Sequence, residues 1–247
     1  MLAPDQQRRR FLLASVLFLL AGIVALSVDM PIARWAHNDG FRQLDDLDRL
    51  IVWSEVFAHG TGVGMILLLV FVLDPENRRR VLRLGIMSLG AGLLANGAKF
   101  LVTRTRPRAA ELDGSAFSTF DFSTIPHSST VESFPSGHTA AAVGLAIGLS
   151  WLYPRGRWMF MLFAVLAAAQ RWSNRDHFVS DTLAGAAIAC TLAAFVLGAS
   201  ALQRWCERFE ASPQPMLRVV FPNARALPPR KVHIPAHVAA TSRRDAA

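Results

Sequence analysis

Cysteine is scarce: the 247 residues hold only Cys190, inside an apolar run, and Cys206, in the basic stretch after it. Two cysteines so placed supply neither a disulfide framework nor the paired spacing of a metal finger. Internal repeats and low-complexity tracts are absent too, which removes the repeat architectures. A basic face is also missing. The net charge is +8, but the cations stand between apolar runs instead of gathering on one helix face or in one domain, so nucleic-acid binding is set aside. Finally, the first apolar run, 11–28, follows Arg8, Arg9 and Arg10 like the core of a signal peptide, yet ends in Ser27-Val28-Asp29-Met30 without a small-x-small cleavage site. It is read as a retained anchor.

What the chain has in abundance is apolar sequence. Hydrophobic residues make up 52%, and mean hydropathy is +0.31 despite a polar, proline-containing tail, so an integral membrane protein is the first reading. Six apolar segments stand out, at 11–28, 51–73, 81–102, 139–153, 158–169 and 182–202. The first three and the last are long enough to cross a bilayer of about 30 Å as helices. The arginines at 8–10, 78–83 and 155–157, with the basic tail, then all fall on one side. By the positive-inside rule that side is cytoplasmic.

The predicted fold is therefore all-α, an integral membrane bundle of six transmembrane helices with both termini cytoplasmic. Residues 1–10 form a cytoplasmic N-terminus, 11–202 the six-span domain and 203–247 a flexible basic cytoplasmic tail. The layout suits a multi-pass protein of a cell inner membrane with its outward connections facing the periplasm. Part of 29–50 is expected to lie as an amphipathic helix at the interface, with Asp45, Asp46 and Asp48 on a solvated face.

Lys99, Arg104, Arg106, Arg108, Arg171 and Arg175 are cations on the outer side, where the charge rule disfavours them, and an anionic ligand supplies the reason. Three clusters meet there. Lys99 is followed seven residues later by Arg106-Pro107; Phe134-Pro135-Ser136-Gly137-His138 leads into the fourth segment; Arg171, His177 and Asp181 run from the fifth into the sixth. A lysine and two arginines suit the non-bridging oxygens of a phosphate. Ser136 and Gly137 stand where a helix begins, so backbone amides and the helix dipole point at the same anion. His177 lies one helical turn before Asp181, which lets the carboxylate bind one ring nitrogen and leave the other as nucleophile. His138 faces it as acid for the leaving oxygen. No metal is demanded, since cations and helix terminus already answer the developing charge.

These three signatures, in this order and spacing, resemble the type-2 phosphatidic acid phosphatase superfamily. The resemblance implies a helical bundle and metal-independent hydrolysis of a phosphoester or diphosphate through a phosphohistidine, without a cofactor. It makes His177 the nucleophile, Asp181 its orienting partner and His138 the leaving-group acid, with Lys99, Arg106, Ser136, Gly137 and Arg171 binding phosphate. Gln170 stands where the family usually has serine. The expected partner is a lipid phosphate or polyprenyl diphosphate in the surrounding membrane lipid, hydrolysed at the outer face. Phosphoryl transfer to another acceptor uses the same chemistry. A channel leaves the motifs unexplained, and vanadate-dependent peroxidase chemistry belongs to soluble folds.

Other polar residues receive plainer readings. Glu55 and His59, one turn apart in the second segment, pair with each other or support the site from behind. His37, His127, Arg104, Arg108 and Arg175 are read as solvent or headgroup contacts.

Overall fold

In the computed structural model, residues 3–122 and 130–211 are described, and all of them fall in one unit, Met1–Ala211. His127 and most of the tail lie outside the described residues. The architecture is mostly helical. In chain order the helices are α1 (Pro4–His37), α2 (Asp46–Trp53), α3 (Gly60–Leu73), α4 (Val81–Gly85), α5 (Ala91–Ala98), α6 (Gly137–Leu152), α7 (Arg157–Ser173), α8 (Val179–Val196) and α9 (Ala201–Ala211). A π-helical turn, Ile86–Gly90, joins α4 to α5, so Arg78–Ala98 runs as one helical stretch.

Alanine predominates in the interior beside a few larger residues such as Leu84, Met87 and Leu145, and most other large apolar side chains face outward. Ala140, Ala142, Ala146, Ala167, Ala187, Ala189 and Ala193 are buried, whereas Leu13, Leu17, Ile23, Val24, Leu68, Leu69, Leu93, Leu162 and Val165 are exposed. A water-soluble bundle hides its leucines. Here the alanines let helix backbones approach while the leucines face an apolar surrounding, the arrangement of helices packed within lipid. The α1–α8 seam shows the close approach: Ser15 Oγ donates to the Ala187 carbonyl at 2.9 Å, and Gly22 lies over the Ser180 carbonyl.

Among the described residues, three helical stretches are long and apolar enough to cross a membrane, Pro4–His37, Arg78–Ala98 and Val179–Val196. The second apolar segment departs from its expected form. Instead of one straight helix, Asp46–Phe57 and Gly60–Leu73 meet at 68°, because the helix tightens to a 3-10 turn at Ser54–Phe57 and the His59 ring then accepts from the Thr61 amide to cap a new one. The first segment departs in the other direction. Its helix continues past residue 28 to His37, since Met30 and Ala33 bury against Ala116 and Phe178, and Ala36 against Phe41 and Ile51. The 29–50 connection is thus shorter than its sequence suggested. Its α2 carries exposed Leu47 and Leu50 beside an exposed Asp46–Arg49 pair.

Between α5 and α6 the chain folds over one end of the bundle. A two-residue strand β1 (Thr103–Arg104) pairs antiparallel with β2 (Phe120–Asp121), and Arg104 also bridges Glu132. At the other end α9 extends eight residues beyond position 203, where the tail was expected to begin. Glu210 there binds Arg83 through two hydrogen bonds of 2.7 and 3.0 Å.

Candidate active site

All eight residues singled out in the sequence gather at the end of the bundle covered by the α5–α6 connection. Lys99 closes α5, and its electrostatic neighbours are Arg106, Glu132, Asp181 and Asp176. Burial first, then the adjacent Arg106 guanidinium, pushes the Lys99 ammonium below its ordinary value. Arg106 donates from Nη1 to Asp176 at 3.0 Å, while its buried Nε has no acceptor among the described residues. Arg171, in the last turn of α7, donates through Nε to Gln170 and through Nη2 to Glu55 at 3.3 Å. Its Nη1 lies 3.5 Å from Asp176.

Asp176 is therefore a hub that sequence reasoning missed: one carboxylate holds Arg106, Arg171 and Arg108. Like charges crowded into a buried site repel, and a carboxylate among them offsets that repulsion while fixing each fork. Arg108, assigned above to solvent, joins the cluster through it at 2.9 Å. Asp176 adjoins His177 in sequence, but only the tight α7–α8 connection, with Arg175 in the left-handed region at φ 57°, swings both back under α7. Their amides then donate to the Arg171 carbonyl.

Ser136 caps α6, its hydroxyl accepting from the Thr139 amide at 3.3 Å. Its own amide is not free, since it donates to the Asp181 carbonyl at 3.0 Å. The anion-facing amides expected at this terminus thus narrow to those of Gly137 and His138, first-turn donors that a helix cannot satisfy internally. Two glycines permit the approach. A Cβ on Gly137 would stand 2.7 Å from Asn96 Oδ1 of α5, and one on Gly185 would stand 2.4 Å from the Ser136 carbonyl. Gly185 thereby lets α8, which carries Asp181, seat directly against the start of α6, which carries His138.

His177 is buried, and its Nδ1 lies 2.6 Å from the Ser133 carbonyl. A carbonyl only accepts, so Nδ1 carries the proton and Nε2 keeps its lone pair. Asp181 stands 3.8 Å from the same Nδ1, so the expected carboxylate–histidine hydrogen bond is replaced by one to backbone, with the charge held behind it. Burial most, then Arg106 and Lys99, depresses the imidazole below its ordinary value, against the opposing pull of Asp181. His138 sits in the first turn of α6 with Arg171, His177, His59 and Asp176 as its electrostatic neighbours. The bend between α2 and α3 brings His59 there, its ring centroid 5.9 Å from that of His138. Glu55 and His59 therefore do not pair with each other. One meets Arg171 and the other His138.

Asp181 is held as firmly as His177. Its carboxylate accepts from Ser133 Oγ at 2.6 Å, from the Phe178 amide at 2.8 Å and from Arg104 Nη1 at 2.5 Å. Arg104, read above as a solvent or headgroup contact, is instead fully buried between the rings of Phe120 and Phe178, 4.4 and 4.1 Å from its guanidinium carbon. Its position between Lys99 and Arg106 was the available signal, since an arginine drawn into that turn shares their environment.

A helical protein with a lipid-facing exterior, carrying at one end a buried cluster of cations around two histidines, defines a class of membrane proteins that handle an anion. Within that class the chain belongs to the PAP2 superfamily, whose family model matches residues 80–205, about half of the chain. It is similar to the lipid A 1-phosphatases of Rhizobium johnstonii, at 33% identity over 97 residues, and of Rhizobium etli, at 32% over the same length. Each match covers 39% of this chain and 38% or 40% of the relative, so the chain spans about two fifths of the length of the curated relatives it matches. No solved structure matches.

Proposed function

We propose that the protein is a metal-independent phosphatase that hydrolyses a lipid phosphate or polyprenyl diphosphate at the outer membrane face through a phosphohistidine. The observation that carries this reading is the His177 tautomer: Nδ1–H is committed to the Ser133 carbonyl, which leaves the Nε2 lone pair on a ring surrounded by Lys99 and Arg106. In the reaction Nε2 attacks phosphorus, the phosphorus–oxygen bond to the lipid breaks, and His138 delivers a proton to the departing oxygen. Water, deprotonated by His138, then attacks the phosphohistidine and releases inorganic phosphate. Lys99, Arg106, Arg171, Gly137 and His138 amides hold the non-bridging oxygens, with Ser136 shaping the helix start and Asp181 supporting the imidazole.

The same reading makes α2–α3, α6 and α7 additional crossings, giving six spans with both termini cytoplasmic and the site on the periplasmic side of an inner membrane. Because the relatives are named lipid A 1-phosphatases, lipid A is the first substrate to try. The test is phosphate release by the purified protein from lipid A, phosphatidate, phosphatidylglycerophosphate and undecaprenyl diphosphate, with acid quench to trap label on the enzyme. Label is expected on His177 and absent in His177→Ala; turnover that survives in His177→Ala would sink the mechanism.

A further inference from the structure

Beneath His177 lies an ion cluster larger than the proposed chemistry requires. Arg104 binds two carboxylates at once, Asp181 through Nη1 and Asp29 through Nη2 at 2.8 Å, and all three side chains are fully buried. Asp29 comes from α1, outside the residues matched by the family model. It also accepts from the amide of Ser180 at 3.0 Å and from its hydroxyl at 2.5 Å. The Ser180 hydroxyl in turn accepts from Arg104 at 2.7 Å, and Arg104 Nε donates to Thr119 at 3.0 Å.

One carboxylate would neutralise this guanidinium and satisfy part of its fork. A second adds a buried anion whose desolvation is costly, and two carboxylates against one guanidinium leave one negative charge in excess. We propose that Asp29 and Arg104 form with Asp181 a positioning unit for His177, in which the excess negative charge stabilises the cationic ring created when Nε2 bonds to phosphorus. The inference rests on the reading of His177 as nucleophile. Arg104 fixes the Asp181 carboxylate 3.8 Å from Nδ1, and Asp29 keeps Arg104 from cancelling that carboxylate.

The cations facing His177 act in the opposite sense. Lys99 and Arg106 approach from the α5 end and His138 from α6, with Asp176 the remaining carboxylate nearby. With Asp176 already engaged by Arg106, Arg108 and Arg171, loss of one anion beneath the ring leaves Lys99 and Arg106 less opposed.

The test is a charge-compensation series measured as pH profiles of kcat and KM on purified, folded protein. Asp29→Asn removes the excess anion; kcat is expected to fall about tenfold with KM changed less than about threefold, and the acidic limb to move down by about one pH unit. The double variant Asp29→Asn with Arg104→Gln leaves Asp181 as the lone charge and restores the excess, so limb and kcat are expected to return toward wild type. A merely structural tie between α1 and α8 predicts the reverse: the double variant slower than the single, with the limb unmoved in both. That outcome overturns the proposal, as does failure of both variants to fold. A His177→Ala control separates the two levels of the argument. If that variant turns over substrate, the nucleophile assignment is wrong; if it is inactive while Asp29→Asn keeps the wild-type limb, only the positioning unit is.

Discussion

The two histidines of the site carry different burdens, and their surroundings say so. His177 is immobilised by a short hydrogen bond to backbone, whereas His138 stands in a helix first turn beside a second histidine. A substrate with a good leaving group, such as a nitrophenyl phosphate, needs little protonation. It should recover part of the loss in His138→Ala, a loss of about a hundredfold to ten-thousandfold with lipid substrate, and none of that in His177→Ala; equal rescue of both would reverse the roles. The depressed value of His177 has its own signature. Because burial and the adjacent cations disfavour the protonated ring, the neutral nucleophile persists to lower pH than a free imidazole allows. Activity is retained above that lowered value and lost as pH falls through it, so the acidic limb of kcat/KM should lie below 6.5, and a limb above 6.5 would contradict the assignment. At this scale the sequence was legible where spacing encodes contact, as for Lys99, Arg106, Arg171 and His177. It was silent on Asp29 and Asp176, whose partners depend on how far α1 extends and how the α7–α8 turn closes.

Elements are set against one another here by missing side chains as much as by present ones. Gly185 is the clearest instance, since any Cβ there collides with the Ser136 carbonyl, a backbone atom that cannot rotate away. Gly185→Ala should therefore separate the starts of α6 and α8, destabilising by about 1–3 kcal/mol and slowing turnover because His138 and Asp181 ride on the two displaced helices. Thermal unfolding in detergent alongside phosphate release checks both, and a variant with wild-type Tm and rate would show the contact to be slack. Helix positions were legible from apolar runs, but bends were not. The 54–59 break arises from a histidine that caps instead of spanning, and the hydropathy of 51–73 does not distinguish the two.

For the whole molecule, the distribution of small and large residues fits a lipid surrounding but carries no direction across it. For direction the charge bias supplies a prediction. Cysteines introduced at 155–157 should react with impermeant reagent only from the cytoplasmic side and those at 109–122 only from outside; the reverse would put the site on the other face. Activity should persist in chelator, and abolition by EDTA with recovery on adding a divalent ion would require a different mechanism.

The α1–α8 seam has a consequence for biosynthesis. Asp29 meets Ser180 across 151 positions of sequence, so the first helix to leave the ribosome must wait for α8 before the full set of partners of its carboxylate is present. At about 5–20 residues per second that interval is roughly 8–30 s. For about the first half of it, until Arg104 follows 75 positions later, Asp29 has no countercharge. A chain halted before residue 180 therefore lacks the amide and hydroxyl that close the cluster on α8.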